Sequence, residues 1–385
     1  MIPRIAVLPA LVALLLAAAL SAAAPPPVRA GGFDQGMARW VAALETRLVA
    51  LEEELPGAPP ATRIVGGPVL KPGMVDTRVF DLTRRLVELG YLEPGSERDA
   101  LDELVTAAVV SFQAERGLNP DGKVGGATLA ALNLTPAEEV ASIRETLSRI
   151  AEFAASAPAT LVLVNLPAQD LTLVRDGETV LTMDTVVGSP SRPTPLLTDT
   201  ITHVVVNPTW TVPPTVLKQD KLPSLRRTGR PGIDHATVWL DGEPVDPAAV
   251  DWTGVSPRRV RIVQSAGDHN ALGRFRFNLT NGDHIYLHGT NAPRVFGRDR
   301  RAVSSGCVRL ADPEALADDL LRSAGFTPER IASLVGTGET RWLRLAEPMP
   351  VRFVYWPAVL RNDRVVVLPD IYGIVPPPEL VAAAN

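Results

Sequence analysis

The chain has 385 residues, with 38 Lys and Arg against 43 Asp and Glu for a net charge of −5. Its basic residues form no long run, which argues against nucleic acid as a partner. The length allows two or three domains, and the single cysteine, Cys307, leaves no pair for an internal disulfide.

Residues 1–30 contain MIPRIAVLPALVALLLAAALSAAA, an early charge followed by an apolar run and small residues. This pattern predicts a secretory signal peptide. The run is also close to bilayer-spanning length, so an uncleaved anchor is the rival reading, and only then does the chain touch a membrane. Either reading places the rest outside the cytoplasm, in the periplasm or cell envelope. Residues 31–63 hold a helical segment with apolar residues at helical spacing over 37–55, then a proline-rich linker.

Over residues 64–134, VDTRVFDLTRRLVELGYL and LDELVTAAVVSFQAERGLNPDGKVGGATLAALN predict amphipathic helices broken at Gly90, Gly117 and Asp121-Gly122. Leu86, Gly90-Tyr91-Leu92, Ala108-Val109, Phe112-Gln113, Gly117-Leu118, Asp121-Gly122, Gly125, Thr128-Leu129 and Leu132-Asn133 together resemble the peptidoglycan-binding domain of cell-wall enzymes. Most of these positions suit core or turn roles, so the resemblance implies the fold and leaves open whether the module binds glycan or is a scaffold. Thr135-Pro136-Ala137-Glu138 then predicts a capped linker helix over 135–157.

From residue 158 the period changes to about two. TLVLVNL, DLTLVRD, TVLTMDTVVG, ITHVVVNP, RVRIVQ and DHIYLHG predict strands of a mostly β domain over 158–325, with a helix in 312–325. Residues 326–385 are expected to pack on it as a C-terminal segment. The fold class expected is therefore multidomain α+β.

An unpaired thiol in an exported chain is either a chance buried group or a reactive one. A reactive cysteine needs a base and donors for the oxyanion that forms. Gly306 allows a tight turn, and the Gly306 and Cys307 amides could point at an acyl oxygen. Of five histidines, His288 ends the strand DHIYLH just before Gly289, 19 residues ahead of Cys307. Tyr286 alternates onto the same strand face. Zinc is the competing use of His284 and His288, but four positions along a strand separate them by roughly 13 Å, so shared ligation is not expected.

IYLHGTNAPRVFGRDRRAVSSGCVRL closely resembles the active-site block of the L,D-transpeptidases, the YkuD-type cysteine enzymes that cross-link peptidoglycan. The resemblance extends over most of 135–375 and, with the helical module, is to the large periplasmic branch. It implies Cys307 as nucleophile, His288 as its base, and the Gly289 carbonyl as the group orienting the imidazole. Ser304-Ser305 stands where the wider family has Ser-His, and Gly289 where the branch often has Asp. Ser304 and Ser305 then border the substrate site, Ser305 shaping the loop. Arg309 meets a substrate carboxylate, orders the loop or forms a structural ion pair; Trp210 either walls the substrate groove or packs in a core. Residues 216–256 resemble a capping insert.

The resemblance further implies 3-3 cross-linking through a thioester with release of D-alanine, peptidoglycan stem peptides and glycan as partners, and carbapenem β-lactams as covalent inhibitors. No cofactor and no metal are expected, and no ATP is needed because one amide is exchanged for another. A catalytically idle wall-binding scaffold, or the same acyl chemistry with water, a D-amino acid or a protein amine as acceptor, are the alternatives.

Overall fold

The computed structural model describes residues 32–57, 60–298 and 300–377, so the expected export segment lies outside the described residues. Helix α1 (Gly32–Glu54) leads into a small helical module built from α2 (Arg78–Glu88), α3 (Glu103–Glu115) and α4 (Gly126–Leu132). No helix among the described residues is long and apolar enough to cross a membrane.

The module's core comprises Leu70, Val79, Leu82, Leu86, Leu101, Val105, Val109, Phe112 and Leu132, nearly all fully buried. Burial of each such side chain contributes about 1.5–3 kcal/mol. The motif polar residues serve the same end. The Gln113 amide donates to the Lys123 carbonyl and accepts from the Gly122 amide, each at 2.9 Å, at a turn where Gly122 takes φ +72°. Arg85 donates to the Leu132 and Leu134 carbonyls, at 2.8 and 2.9 Å, and so closes the end of α4.

Helix α5 (Pro136–Ala154) carries the predicted capping box, with Thr135 and Glu138 bonding reciprocally. It packs beside α1 through Leu44, Leu51, Val140, Ile143 and Ile150, and Trp356 joins the same cluster.

The large sheet runs β11-β3-β12-β10-β9-β4-β13-β1-β2, and a further pairing of β2 with β3 closes the strands from β3 to β2 into a ring, with β11 beside β3. Its strands are β1 (Leu161–Asn165), β2 (Asp170–Arg175), β3 (Glu178–Gly188), β4 (Leu197–Val206), β9 (Phe275–Leu279), β10 (Leu287–His288), β11 (Ala302–Ser304), β12 (Val308–Leu310) and β13 (Arg341–Val354). Closure removes sheet edges that would otherwise leave backbone groups unpaired. One face packs Val164, Leu173, Val204, Phe277, Leu287 and Val308 with α7 (Pro313–Arg322), whose start is capped by Asp312. Helix α8 (Pro328–Gly336) follows, and β14 (Ala358–Arg361) with β15 (Arg364–Val367) forms a separate hairpin.

Three expectations need correction. Residues 326–385 do more than pack on the domain, because β13 lies inside the sheet between β4 and β1. Pro348 and Pro350 hide this strand from the alternation pattern; Pro348 falls in a register break between Arg344 and Met349, while Pro350 stays opposite Thr200. The capping insert also exceeds 216–256. Its four-stranded sheet, β5-β8-β6-β7, includes β5 (Trp210–Thr211), β6 (Ala236–Leu240), β7 (Glu243–Val245) and β8 (Val260–Gln264). The insert, which includes helix α6 (Leu222–Thr228), has its own core of Val216, Leu222, Leu225, Val238, Trp252 and Ile262. Third, DHIYLH is not one strand: only Leu287 and His288 pair, and His284 sits in a left-handed turn at φ +58°.

Candidate active site

The site forms where β12 and β10 lie parallel, with Leu287 opposite Val308 and His288 opposite Arg309. The Val308 amide donates to the Tyr286 carbonyl at 3.0 Å, so Cys307 arrives beside the Tyr286–His288 segment. Side chains alternate along a strand. With Leu287 and Val308 committed to the core, His288 and Arg309 face the opposite side.

His288 is 5 % exposed, and its Nδ1 lies 2.6 Å from the Gly289 carbonyl oxygen. A carbonyl can only accept, so Nδ1–H donates and Nε2 carries the free lone pair. Burial, aided by the Arg309 and Arg276 charges, pushes the imidazole down to about 3 against the opposing Gly289 bond. The Cys307 thiol is pushed up by burial, while the Tyr286 backbone and the Arg309 and Arg276 charges pull it down. The resting pair is therefore a neutral thiol and a neutral imidazole rather than a preformed ion pair.

The cysteine loop is held by a tight set of bonds. Gly306 adopts φ +116°, a conformation open almost only to glycine. The Ser304 hydroxyl donates to the Cys307 carbonyl at 2.6 Å and accepts from the Gly306 amide at 3.1 Å. Thr194 Oγ1 donates to the Gly306 carbonyl at 2.7 Å and accepts from the Gly188 amide at 2.8 Å. Tyr372, from the C-terminal segment, donates its hydroxyl to the Gly188 carbonyl at 2.9 Å and accepts from the Thr194 amide at 3.2 Å.

These contacts revise several expected roles. Ser304 is buried with its hydroxyl engaged twice inside the loop, so it shapes the loop and does not border substrate. The Gly306 amide is taken by Ser304, which removes it from the expected oxyanion pair in this state. Ser305 is exposed, and its hydroxyl accepts from Arg192 at 3.1 Å. Trp210 packs against the core of the insert. His284 presents an exposed side chain, yet its backbone carbonyl accepts from the Cys307 thiol at 3.6 Å, so its turn is part of the site. At Gly289, where the resembling branch often has Asp, a Cβ would meet the Leu272 carbonyl at 3.2 Å and Pro313 at 3.3 Å, so a side chain fits only where these neighbours give by a few tenths of an ångström.

Tyr286 is half-buried, with the Arg276 guanidinium 5.0 Å from its ring centre. Arg309 has no ion-pair partner among the described residues, which disposes of the structural ion pair as its role. Arg276, Thr194 and Tyr372 were not singled out from the sequence. The alternation FRFNL marks a strand, but only its pairing shows that Arg276 stands beside His288. No cluster of three or more His, Cys, Asp or Glu among the described residues is placed to hold a metal ion.

A family model described as "L,D-transpeptidase catalytic domain" matches residues 159–351, half of the chain, and one described as "Putative peptidoglycan binding domain" matches 76–132. A Haemophilus influenzae protein named "Putative L,D-transpeptidase" is 39 % identical over 217 residues, covering 55 % of this chain and 44 % of that protein. The chain thus spans less than half the length of this curated relative. Among solved structures, the Enterococcus faecium L,D-transpeptidase catalytic domain acylated by ertapenem is 15 % identical, covering 52 % of this chain and 99 % of that one, with a TM-score of 0.26. An L,D-transpeptidase from Stackebrandtia nassauensis is 16 % identical, covering 77 % and 97 %, with a TM-score of 0.24. The chain joins a peptidoglycan-binding domain to a closed β catalytic domain and belongs to the YkuD family of L,D-transpeptidases.

Proposed function

We propose that this protein is exported and forms 3-3 cross-links between peptidoglycan stem peptides through a Cys307 thioester. His288 Nε2 takes the thiol proton as sulfur attacks the carbonyl between the diamino acid at stem position three and the terminal D-alanine. The C–N bond breaks, the proton passes to the departing amine, and D-alanine leaves. The side-chain amine of a second stem then attacks the thioester, loses its proton to His288, and regenerates the thiol. One amide is exchanged for another, so neither ATP nor a redox partner is needed.

The observation that carries this reading is the His288 Nδ1–Gly289 carbonyl bond at 2.6 Å. It leaves Nε2 unprotonated on the strand that pairs with the one following Cys307, whose loop is held by the Ser304 and Thr194 hydroxyls. A depressed imidazole pKa keeps that base neutral throughout the physiological range. Burial that disfavours the resting thiolate is compatible with catalysis if the proton moves during attack, and the Arg309 and Arg276 charges favour the developing anion. Carbapenems fit the same chemistry as strained acyl donors, leaving a covalent adduct on Cys307.

Incubating the purified protein with disaccharide tetrapeptide and resolving the products by mass tests the proposal. A cross-linked dimer lighter by one alanine is expected, and is absent with Cys307→Ala. Free tripeptide alone would assign water as acceptor, and no turnover at all would favour a wall-binding scaffold.

A further inference from the structure

Arg276 belongs to a cross-strand row. His288 on β10 pairs with Arg309 on β12 and with Arg276 on β9, and Val205 on β4 connects Arg276 to Trp342 on β13. Directly paired residues stand about 5 Å apart at Cα on the same face of a sheet. Arg276 therefore flanks the base from the side away from the cysteine loop.

Arg276 is held by aromatic rings rather than by hydrogen bonds. Its guanidinium carbon lies 5.0 Å from the ring centre of Tyr286 and 4.9 Å from that of Trp342. Neither contact uses a hydrogen-bond acceptor, so the N–H fork is left for one. None of the described carboxylates pairs with it, and its Nε is buried without a hydrogen-bond partner. Arg301 bonds Asp184, the Gln169 carbonyl and the Thr185 carbonyl, and Arg175 bonds Asp319; Arg309, across His288, also lacks an ion-pair partner among the described residues, but of the two only Arg276 has a guanidinium nitrogen buried without a hydrogen bond. A half-buried guanidinium without an acceptor is costly to retain. Trp342, 56 % exposed, puts this end of the row within reach of solvent.

We infer that Arg276 is a specificity-determining residue that receives a carboxylate of the donor substrate beside the scissile amide. The inference rests on the acyl-transfer reading above. A planar fork suits bidentate carboxylate binding. In a tetrapeptide donor the terminal carboxylate is separated from the attacked carbonyl only by the leaving nitrogen and its Cα. It lies on the side to which His288 returns the proton, where Arg276 stands. A donor one residue longer would carry its carboxylate about 3.5 Å further away. A side-chain carboxylate on the diamino acid is the second source of the same chemistry.

The test uses the full chain with Cys307→Ala, so that binding is read without turnover. Calorimetry compares disaccharide tetrapeptide having a free C-terminus, a C-terminal carboxamide, or a carboxamide on the diamino acid side chain. These ligands are measured with Arg276 intact, with Arg276→Gln and with Arg276→Lys. Arg276→Gln should weaken the free acid about 10- to 100-fold and abolish its preference over the C-terminal amide, with partial recovery in Arg276→Lys. Collapse of the preference over the side-chain amide instead would support the receptor and assign the other carboxylate. Equal weakening of all three ligands, or no change, would overturn it. In the cysteine-intact protein, a shifted pH profile of Cys307 alkylation with carboxylate preference retained would also overturn it, assigning Arg276 to the thiolate. Binding without cross-linking would contradict the proposed function but leave Arg276 as the receptor.

Discussion

Arg192 grips Asp220 with both terminal nitrogens at 2.7 Å and, through the same Nη1, reaches the Ser305 hydroxyl at 3.1 Å. Asp220 lies in the insert and Ser305 two residues before Cys307, so one side chain fastens the insert to the Cys307 loop. The pair is partly exposed and contributes at most about 1 kcal/mol to global stability. Asp220→Asn should leave thermal unfolding nearly unchanged while increasing amide exchange over residues 214–228. Hydrogen-exchange mass spectrometry checks this; unchanged exchange there would mean that the insert is held by its apolar contacts alone.

Ser304 and Ser305 should separate cleanly. Ser304→Ala strands the Cys307 carbonyl and the Gly306 amide, and loss of buried hydrogen bonds costs about 1–3 kcal/mol. It should lower the urea midpoint and slow acylation by a carbapenem. Ser305→Ala loses one exposed contact and should change the midpoint by less than about 0.5 kcal/mol. Equal effects of the two substitutions on both measurements would contradict the role given to Ser304.

His288 and Asp170 give stability opposite pH slopes. His288, near 3 in the fold against an ordinary 6.5, contributes a term complete above pH 6.5 and lost as pH falls toward 3. Asp170 is pushed up to about 6, first by burial and also by Asp184, its cross-strand neighbour, against the Arg361 and Arg301 charges. Its term is complete below pH 3.8 and lost as pH rises through 6. Asp170→Asn should therefore be more stable than the parent at pH 7, by on the order of 1 kcal/mol after allowance for partial exposure, with the gain shrinking by pH 4. Urea unfolding from pH 4 to 7 reads this directly, and a pH-independent difference would contradict it.

The β-branched runs at 161–165, 170–175 and 201–206 were legible as strands because their sequence period matches the pleat. Cys307 and His288 were singled out through the resemblance of IYLHGTNAPRVFGRDRRAVSSGCVRL to a family block, since a spacing of 19 residues says little by itself, and the structure brings their segments onto adjacent strands. What stayed hidden depends on pairing between distant segments. Prolines mask β13 until its register break is seen, and Arg276 reads as an ordinary exposed-face residue until β9 is laid against β10. The left-handed turn at His284 shortened a strand that the sequence pattern extends, and it brought a backbone carbonyl to the thiol.

The central claim is that Cys307 is acylated with His288 as its base. The decisive measurement is the rate of carbapenem acylation, followed by intact mass from pH 5 to 10, for the parent, His288→Ala, His284→Ala and Cys307→Ala. The account predicts one adduct on the peptide containing Cys307 and none with Cys307→Ala. It predicts a loss of about 100-fold or more at pH 7 for His288→Ala, partly recovered as rising pH ionises the thiol. His284→Ala, which keeps the backbone carbonyl, should react nearly as the parent. Labelling that persists in Cys307→Ala, or a dead His284→Ala beside an active His288→Ala, would contradict it.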